Sequence, residues 1–92
     1  MEFYRFSIKI IHPEATGEPL AFRIMKLAYE CQVRGECRYK SPTTLEIMAE
    51  GEKENLGLFS ENIRKSMPLA CIEVGTALKS EKPEYREFDI TP

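Results

Sequence analysis

The sequence predicts an α+β fold, in which an antiparallel sheet of four to five strands carries two helices on one face. Three observations lead to this expectation. The chain has 92 residues, enough for one hydrophobic core but not for two. Apolar and polar residues alternate in the first and last segments, as in half-buried strands, whereas two inner segments repeat apolar residues at helical intervals. We therefore expect a single domain over residues 1–92.

A change in apolar spacing marks the first strand and the first helix. In FYRFSIKII, apolar residues alternate with Arg5, Ser7 and Lys9, which gives the strand one wet face. From Pro19 onward, apolar residues recur every three or four positions, as in an amphipathic helix, and proline suits a first helical turn. This helix is predicted to end near Gly35.

The second half of the chain combines short strands with one more helix. GECRYK and TLEIMAE are predicted to form adjacent antiparallel strands joined by a turn at SPTT, and Gly51 is expected to end the second of them. KENLGLFSENIRKSM repeats apolar residues at helical spacing until Pro68 stops it. ACIEVGTAL and YREFDI then indicate strands, separated by the polar segment SEKPE.

The resulting order β-α-β-β-α-β is that of the ferredoxin-like sandwich. Only one side of each strand is apolar, so both helices are expected to cover the same face of the sheet. Ten residues are predicted to share the core between sheet and helices. They are Ile8, Ile10, Leu27, Ala28, Leu45, Ile47, Phe59, Ile63, Ile72 and Val74.

Composition excludes several classes of partner. The 13 basic and 15 acidic residues give a pI near 5.5, so no broad basic field is available for nucleic acid. No apolar run approaches the roughly 20 residues of a membrane span, and the N-terminus lacks the order of a signal peptide. We therefore expect a soluble, cytoplasmic protein that binds neither nucleic acid nor membrane.

Three cysteines and a single histidine limit metal chemistry. Cys31, Cys37 and Cys71 match neither a disulfide framework nor a paired CxxC zinc site. A closed four-ligand zinc site would need all three to converge with His12. The simpler interpretation places Cys31 and Cys71 in the core, as buried thiols usually are. We expect no metal and no cofactor.

Segments from both halves of the chain carry a family resemblance. LEIMAEG, ENLGLFSENIRKSMPLACIEV and YREFDI are similar to the third strand, second helix with its following turn and strand, and closing strand of the acylphosphatases. In the first half, AYECQVRGECRY aligns without a gap to the family segment A-x-x-L-G-L-x-G-x-V-x-N, which matches Ala28, Val33 and Gly35. The resemblance implies the ferredoxin-like fold and points to hydrolases of carboxyl-phosphate bonds.

The resemblance also implies where a phosphate would bind. Acylphosphatases have a loop of the form G-R-V-Q-G-V-G-F-R, whose N–H groups and last arginine hold the phosphate, and an asparagine that orients the attacking water. Without a gap, PEATGEPLA takes the place of this loop, Ala21 that of the arginine and Tyr39 that of the asparagine. A shifted alignment brings Arg23 onto the arginine instead, and both alignments stay open. The residues equivalent to the phosphate loop are Thr16, Gly17, Glu18, Pro19, Leu20 and Ala21.

This loop is a poor phosphate cradle in either alignment. Pro19 has no N–H to donate, and a carboxylate at Glu18 would repel a phosphate by roughly 4 kcal/mol at about 4 Å with an effective dielectric near 20. Losing one preorganised donor costs on the order of 10²- to 10³-fold in rate, and several are missing here.

From these losses we expect a divergent acylphosphatase-like domain without catalytic activity. It would act as a ligand-binding or protein-interaction module for an unknown small anion or protein partner, as a monomer or weak dimer. The alternative is a weak or altered acylphosphatase that hydrolyses carboxyl-phosphate bonds, with Arg23 as the phosphate anchor and Tyr39 at the position that orients water.

Some polar residues admit two interpretations. Arg23 and Arg38 either form a substitute anion site or lie separately on the surface. His12 either pairs with Glu14 as acid and base or is an exposed loop residue. Tyr39 either binds a ligand or fills the vacated pocket with its ring.

Overall fold

The structure, a computed structural model, describes residues 3–12 and 20–91. Both helices pack against one face of the sheet, which confirms the α+β, ferredoxin-like fold class. In the described ranges, no helix has the length and apolar character needed to cross a membrane. The elements in chain order are β1 (Phe3–Ile11), α1 (Leu20–Glu30), β2 (Arg34–Ser41), β3 (Thr44–Glu52), α2 (Lys53–Ser66), β4 (Cys71–Val74), β5 (Leu78–Ser80) and β6 (Phe88–Ile90).

The described residues form one six-stranded sheet, which is mixed rather than wholly antiparallel. β1 pairs antiparallel with β3 on one side and with β4 and β5 on the other. β2 lies between β3, to which it is antiparallel, and β6, to which it is parallel. The strand order is β4-β1-β3-β2-β6, with β5 also beside β1. The parallel pair arises because the chain crosses from one edge of the sheet to the other between β5 and β6.

The core lies between the helices and the sheet and is built around the ten predicted residues. Seven of them are buried, whereas Leu27, Ile72 and Val74 are partly buried and pack against the others. The buried seven are Ile8, Ile10, Ala28, Leu45, Ile47, Phe59 and Ile63. Phe59 of α2 also meets Phe88 of β6 edge to face, with ring centres 6.1 Å apart, so the last strand is packed into the same core.

Two predicted strand boundaries are wrong. Gly51 does not end its strand, because it pairs with Tyr4 inside β3. The segment ACIEVGTAL is not one strand but two, since β4 and β5 pair with different parts of β1. A glycine interrupts a strand only where its backbone leaves the ladder, and here the neighbouring strand keeps it paired.

Gln32 sets the end of α1. Its φ of 57° lies in the left-handed region, which favours glycine. The reversed chain lets Val33 donate its N–H to the carbonyl of Ala28 at 2.8 Å, which satisfies one of the last carbonyls of the helix. The helix therefore ends at Glu30 rather than near Gly35.

The cysteines differ from the prediction at one position. Cys31 is buried as expected, but Cys71 is exposed, because it alternates with Ile72 along β4 and so lies on the open face of the sheet with Glu73. Cys37 is also buried, and its burial, with the nearby charge of Glu36, raises the pKa of its thiol to about 12, so it is not a thiolate at neutral pH. In the part of the chain that the structure describes, no group of His, Cys, Asp and Glu could hold a metal ion.

Gly35 is required at the start of β2. Its φ is 147°, and a Cβ atom there would lie 1.9 Å from the carbonyl oxygen of Met48 in β3. Only glycine fits such a close approach of two backbones. The glycine thereby fixes how β2 lies on β3, and with it the positions of Arg34 at one end of β2 and Tyr39 near the other.

Glu50 holds the crossing segment, residues 81–87, against the sheet face that the helices leave open. Its carboxylate is fully buried and accepts the N–H groups of Glu84 at 2.9 Å and Tyr85 at 3.3 Å. The guanidinium of Arg5 donates to the same carboxylate at 3.0 Å. Burial alone would raise the pKa of Glu50, but these hydrogen bonds lower it below its ordinary value. The buried charge is therefore fully compensated.

Candidate functional site

The predicted site lies where β1 ends, α1 begins and β2 turns into β3. His12 follows β1 and donates its backbone N–H to the carbonyl of Thr43 in the turn, at 2.8 Å. Its side chain is half-buried rather than exposed. Leu20 and Ala21 are the first two residues of α1. The other candidates from this region, Glu14, Thr16, Gly17, Glu18 and Pro19, lie outside the described residues.

Tyr39 reaches the start of α1 from β2. Its hydroxyl oxygen accepts the backbone N–H of Ala21 at 3.0 Å. That N–H belongs to the first helical turn, whose donors have no partner within the helix and bind anions in phosphate sites. Ala21 is buried, whereas Tyr39 is 42% exposed, so the ring closes the helix start from the surface. The structure thus joins two of the predicted residues by a hydrogen bond within the protein.

Arg23 and Arg38 lie on different sides of the sheet. Arg23 is exposed on α1, whereas Arg38 lines a groove on the face that the helices leave open. Consecutive strand residues point to opposite faces, so Arg38 points away from the side on which its neighbour Tyr39 meets α1. The two arginines therefore do not form the substitute anion site considered from the sequence.

The open face carries charges of alternating sign around a groove of about 500 Å³. Strand register places Glu73, Lys9, Glu46 and Arg38 side by side on β4, β1, β3 and β2. Lys40 pairs with Glu46 at 3.8 Å, and both side chains are well exposed. Such neighbours stabilise a sheet slightly and are screened by solvent, so this groove is typical of a wet sheet face.

A second cavity of about 460 Å³ opens at the opposite end of the molecule, where α1 and β3 end and α2 begins; we call it the helix-end cavity. Phe3, Val33 and Phe88 give it an apolar wall, and Tyr29 lies on its exposed side. It contains charged groups from β2, β3 and the crossing segment. They are Arg34, Glu52, Arg86 and Glu87.

Sequence reasoning missed the helix-end cavity because its residues are far apart along the chain and form no motif. One signal was present. In the ungapped alignment, Gln32 stands where the family segment A-x-x-L-G-L has its glycine, and the structure shows this glutamine lining the cavity in a left-handed conformation. A side chain kept where glycine is favoured is a form of strain that often marks functional sites.

Comparison with known families gives one match. The model of the family described as acylphosphatase matches residues 21–90. The match starts at Ala21, so most of the phosphate-loop equivalent precedes it. Among curated proteins, no sequence matches this chain.

Several solved structures share the fold at low sequence identity. An acylphosphatase from Coxiella burnetii is 19% identical with a TM-score of 0.75, and the match covers 98% of this chain and 94% of that one. An acylphosphatase from Bacillus subtilis is 21% identical with a TM-score of 0.70 over the full length of both chains. HypF from T. kodakarensis is 23% identical with a TM-score of 0.68; the match covers 100% of this chain but 12% of HypF. The same fold therefore occurs both alone and within a larger protein.

Proposed function

This chain belongs to the acylphosphatase family, and we propose that it is a divergent member without catalytic activity, which acts as a ligand-binding or protein-interaction domain. We propose that residues 1–92 are this one domain, of which the family model matches residues 21–90. The proposal concerns the two positions on which the chemistry of the family depends: the donors that hold the phosphate and the group that orients the attacking water.

The hydrogen bond between Ala21 and Tyr39 carries the proposal. In the ungapped alignment, Tyr39 replaces the water-orienting asparagine and Ala21 replaces the phosphate-holding arginine. A phosphoryl group in transfer needs several convergent donors, yet the N–H of Ala21 is already paired with the Tyr39 hydroxyl at 3.0 Å. A phosphate would have to displace this hydroxyl and would find no arginine at Ala21 in return.

The sequence of the loop supports the same conclusion. Glu18 would place a negative charge beside a bound phosphate, and Pro19 removes one backbone donor. These changes act together with the paired N–H of Ala21. Restoring one of them should therefore not restore turnover.

Hydrolysis of benzoyl phosphate tests the proposal. The wild type, Arg23→Ala and Tyr39→Asn should all hydrolyse it at the rate of buffer alone. Arg64→Ala is the matched control, because Arg64 is an exposed arginine in the last turn of α2. Turnover above buffer that Arg23→Ala abolishes and Arg64→Ala leaves intact would overturn the proposal.

The alternative function, a weak or altered acylphosphatase, is favoured by one observation. Arg23 lies in the first turns of α1, at the same helix end as Ala21. In this alternative the Tyr39 hydroxyl would leave the N–H of Ala21 and orient the water. Tyr39→Phe would then abolish hydrolysis, whereas our proposal predicts no hydrolysis in either form.

We further propose that the domain works in the cytoplasm, as a monomer or weak dimer. All three cysteines are free thiols, and Cys71 is exposed, which suits a reducing compartment. The charged open face and the short β6 edge with Asp89 at its centre discourage pairing with a second sheet. Light scattering at several micromolar concentrations should give the monomer mass, and a stable higher oligomer would contradict this expectation.

A further inference from the structure

We propose that the helix-end cavity binds a zwitterion, namely a free α-amino acid with an aromatic or large apolar side chain. This deepens the proposed function by naming a ligand class, and it rests on that function only in assigning the domain a binding role. The cavity lies at the opposite end of the molecule from Ala21 and Tyr39, so each proposal can fail without the other.

The charges around the cavity are the first argument. Two arginines and two glutamates line this cavity of about 460 Å³, namely Arg34, Arg86, Glu52 and Glu87. In the described ranges, no ion pair within 4.0 Å joins any of them to another residue. Elsewhere the chain does form such pairs, for example between Arg5 and Glu50 at 3.0 Å. The residues around the cavity therefore include two arginines and two glutamates that form no ion pair with each other.

This balance of charge selects the kind of ligand. A simple anion would be attracted by the two arginines but repelled by the two glutamates, and a simple cation would face the reverse. A molecule with one carboxylate and one ammonium group can place each beside an opposite charge, with hydrogen bonds that are stronger than those between neutral groups. The α-amino acid is the compact molecule with both groups on one carbon.

The apolar wall selects the side chain of that ligand. Phe3, Val33 and Phe88 line the cavity together with the exposed ring of Tyr29. The guanidinium of Arg34 lies 5.2 Å from the centre of the Phe3 ring, which holds the cation at this wall and leaves its outer N–H groups able to donate. The volume falls in the range of small-molecule sites, about 300–1,000 Å³, so an aromatic side chain fits beside the charged groups.

Gln32 provides an independent argument. Its φ of 57° is a conformation in which glycine is the favoured residue, and the resemblance to the family places a glycine at this position. Gln32 nevertheless stands there and is among the residues that line the cavity, and its side-chain amide can both donate and accept a hydrogen bond. We infer that this amide contacts the ligand, which explains why a less favourable residue stands there.

Calorimetric titration of the whole chain tests the proposal with three related probes. L-phenylalanine carries both charges, 3-phenylpropionate lacks the ammonium group and 2-phenylethylamine lacks the carboxylate. The expected result is that L-phenylalanine binds at least about tenfold more tightly than either analogue, because one charge-assisted contact is lost in each. Binding of 3-phenylpropionate as tight as that of L-phenylalanine, or no binding of L-phenylalanine and L-leucine up to millimolar concentration, would overturn it.

Substitutions of cavity residues test whether L-phenylalanine binds in the helix-end cavity. Arg86→Gln and Glu52→Gln should each weaken L-phenylalanine binding by about tenfold or more, whereas Arg64→Gln, outside the cavity, should not. Gln32→Gly should also weaken binding although the position favours glycine, which separates loss of contact from loss of folding. Unchanged binding in Arg86→Gln and Glu52→Gln would overturn the assignment to this cavity. Hydrolysis of benzoyl phosphate is measured separately and reports only on the other end.

Discussion

Polar groups at the two ends of the sheet differ in whether they are paired within the protein. At the start of α1, the N–H of Ala21 is paired with the hydroxyl of Tyr39 at 3.0 Å, inside the protein. At the helix-end cavity, charged residues from distant parts of the chain lie close together without an ion pair to any described residue, and Gln32 stands at a position that favours glycine. At the first end a described helix-start donor is thus paired within the protein, whereas the described charged residues of the second end form no ion pair.

The difference separates family membership from the location of function. The residues that preserve the fold, such as Gly35 and the buried residues of β3 and α2, agree with the acylphosphatase pattern. In our proposal, the residues on which the chemistry of the family depends do not. A fold alone does not establish an activity, and under our proposal polar groups elsewhere on the same scaffold become the candidates for binding.

The largest expected effect follows from a change to β2, which joins the two ends. Gly35→Ala should lower the free energy of unfolding by at least about 3 kcal/mol, since it adds both an unfavourable φ and a clash with the backbone. The clash is with the carbonyl oxygen of Met48, 1.9 Å from the added Cβ. Urea denaturation measures the loss. Gly57→Ala, with no atom within 4 Å of its Cβ in α2, is the control and should gain about 0.5–1 kcal/mol.

A change at Glu50 should affect the two ends unequally. Glu50→Gln leaves Arg5 without its buried partner and weakens the hold on the crossing segment, which carries Arg86 and Glu87 to the helix-end cavity. We expect a loss of about 2–4 kcal/mol, below the full range for buried pairs because Arg5 is partly exposed. L-phenylalanine binding should weaken as well. Wild-type stability in this variant would contradict the described role of Glu50.

The same carboxylate gives a pH dependence. The pKa of Glu50 is lowered in the folded protein, because its hydrogen bonds outweigh the effect of burial. Its contribution to stability is therefore complete above the unfolded pKa of about 4.3 and is lost as the pH falls through the lower folded value. Unfolding measured from pH 6 downward should show a steeper acid loss in the wild type than in Glu50→Gln. If the stability of both proteins fell equally with pH, Glu50 would be excluded as the source of the acid sensitivity.

Much of the fold could be predicted from the sequence, because apolar periodicity is a local signal. The order of elements, the helix-covered face and most of the core follow from it. The exposure of Cys71 was predictable too, because strand alternation places it on the face opposite to Ile72 and Val74, and the prediction that it lies in the core overlooked this alternation. The burial of Glu50 was not predictable, because it depends on the path of a distant segment, residues 81–87, across the sheet.

The candidate site was predictable only in part, for the same reason. The resemblance pointed to Tyr39 and, in one of its two alignments, to Ala21, but their hydrogen bond required the position of β2 relative to α1. The helix-end cavity brings together Phe3, Arg34 and Arg86 from three separate regions. Residue spacing along the sequence does not predict that these three residues lie close together. Local patterns predict elements, whereas the sites between them depend on packing.

A smaller effect is expected at the start of α1. Tyr39→Phe removes one hydrogen bond and should lower the free energy of unfolding by about 1 kcal/mol. Tyr29→Phe is the matched control, because Tyr29 is exposed and makes no hydrogen bond through its hydroxyl within the described ranges. Faster amide exchange at Ala21 in Tyr39→Phe alone would show that the bond is lost, and equal stability of both variants would indicate that it contributes nothing.

The smallest effect is a gain in stability at the other end. Gln32→Gly should raise the free energy of unfolding by up to about 1 kcal/mol, because glycine adopts a φ of 57° without steric cost. Thermal unfolding measures the shift. Should the variant be less stable than the wild type, the left-handed conformation at Gln32 would not be strained, and the argument for its functional retention would be lost.

One NMR experiment compares the two ends directly. Backbone amide spectra of the wild type are recorded while phosphate and L-phenylalanine are added in separate titrations. We predict that millimolar phosphate leaves the amide of Ala21 unshifted, because Tyr39 occupies its N–H, and that L-phenylalanine shifts amides at the helix-end cavity, such as those of Val33 and Arg34. A saturable shift of the Ala21 amide with phosphate, with the cavity amides unmoved by L-phenylalanine, would contradict it.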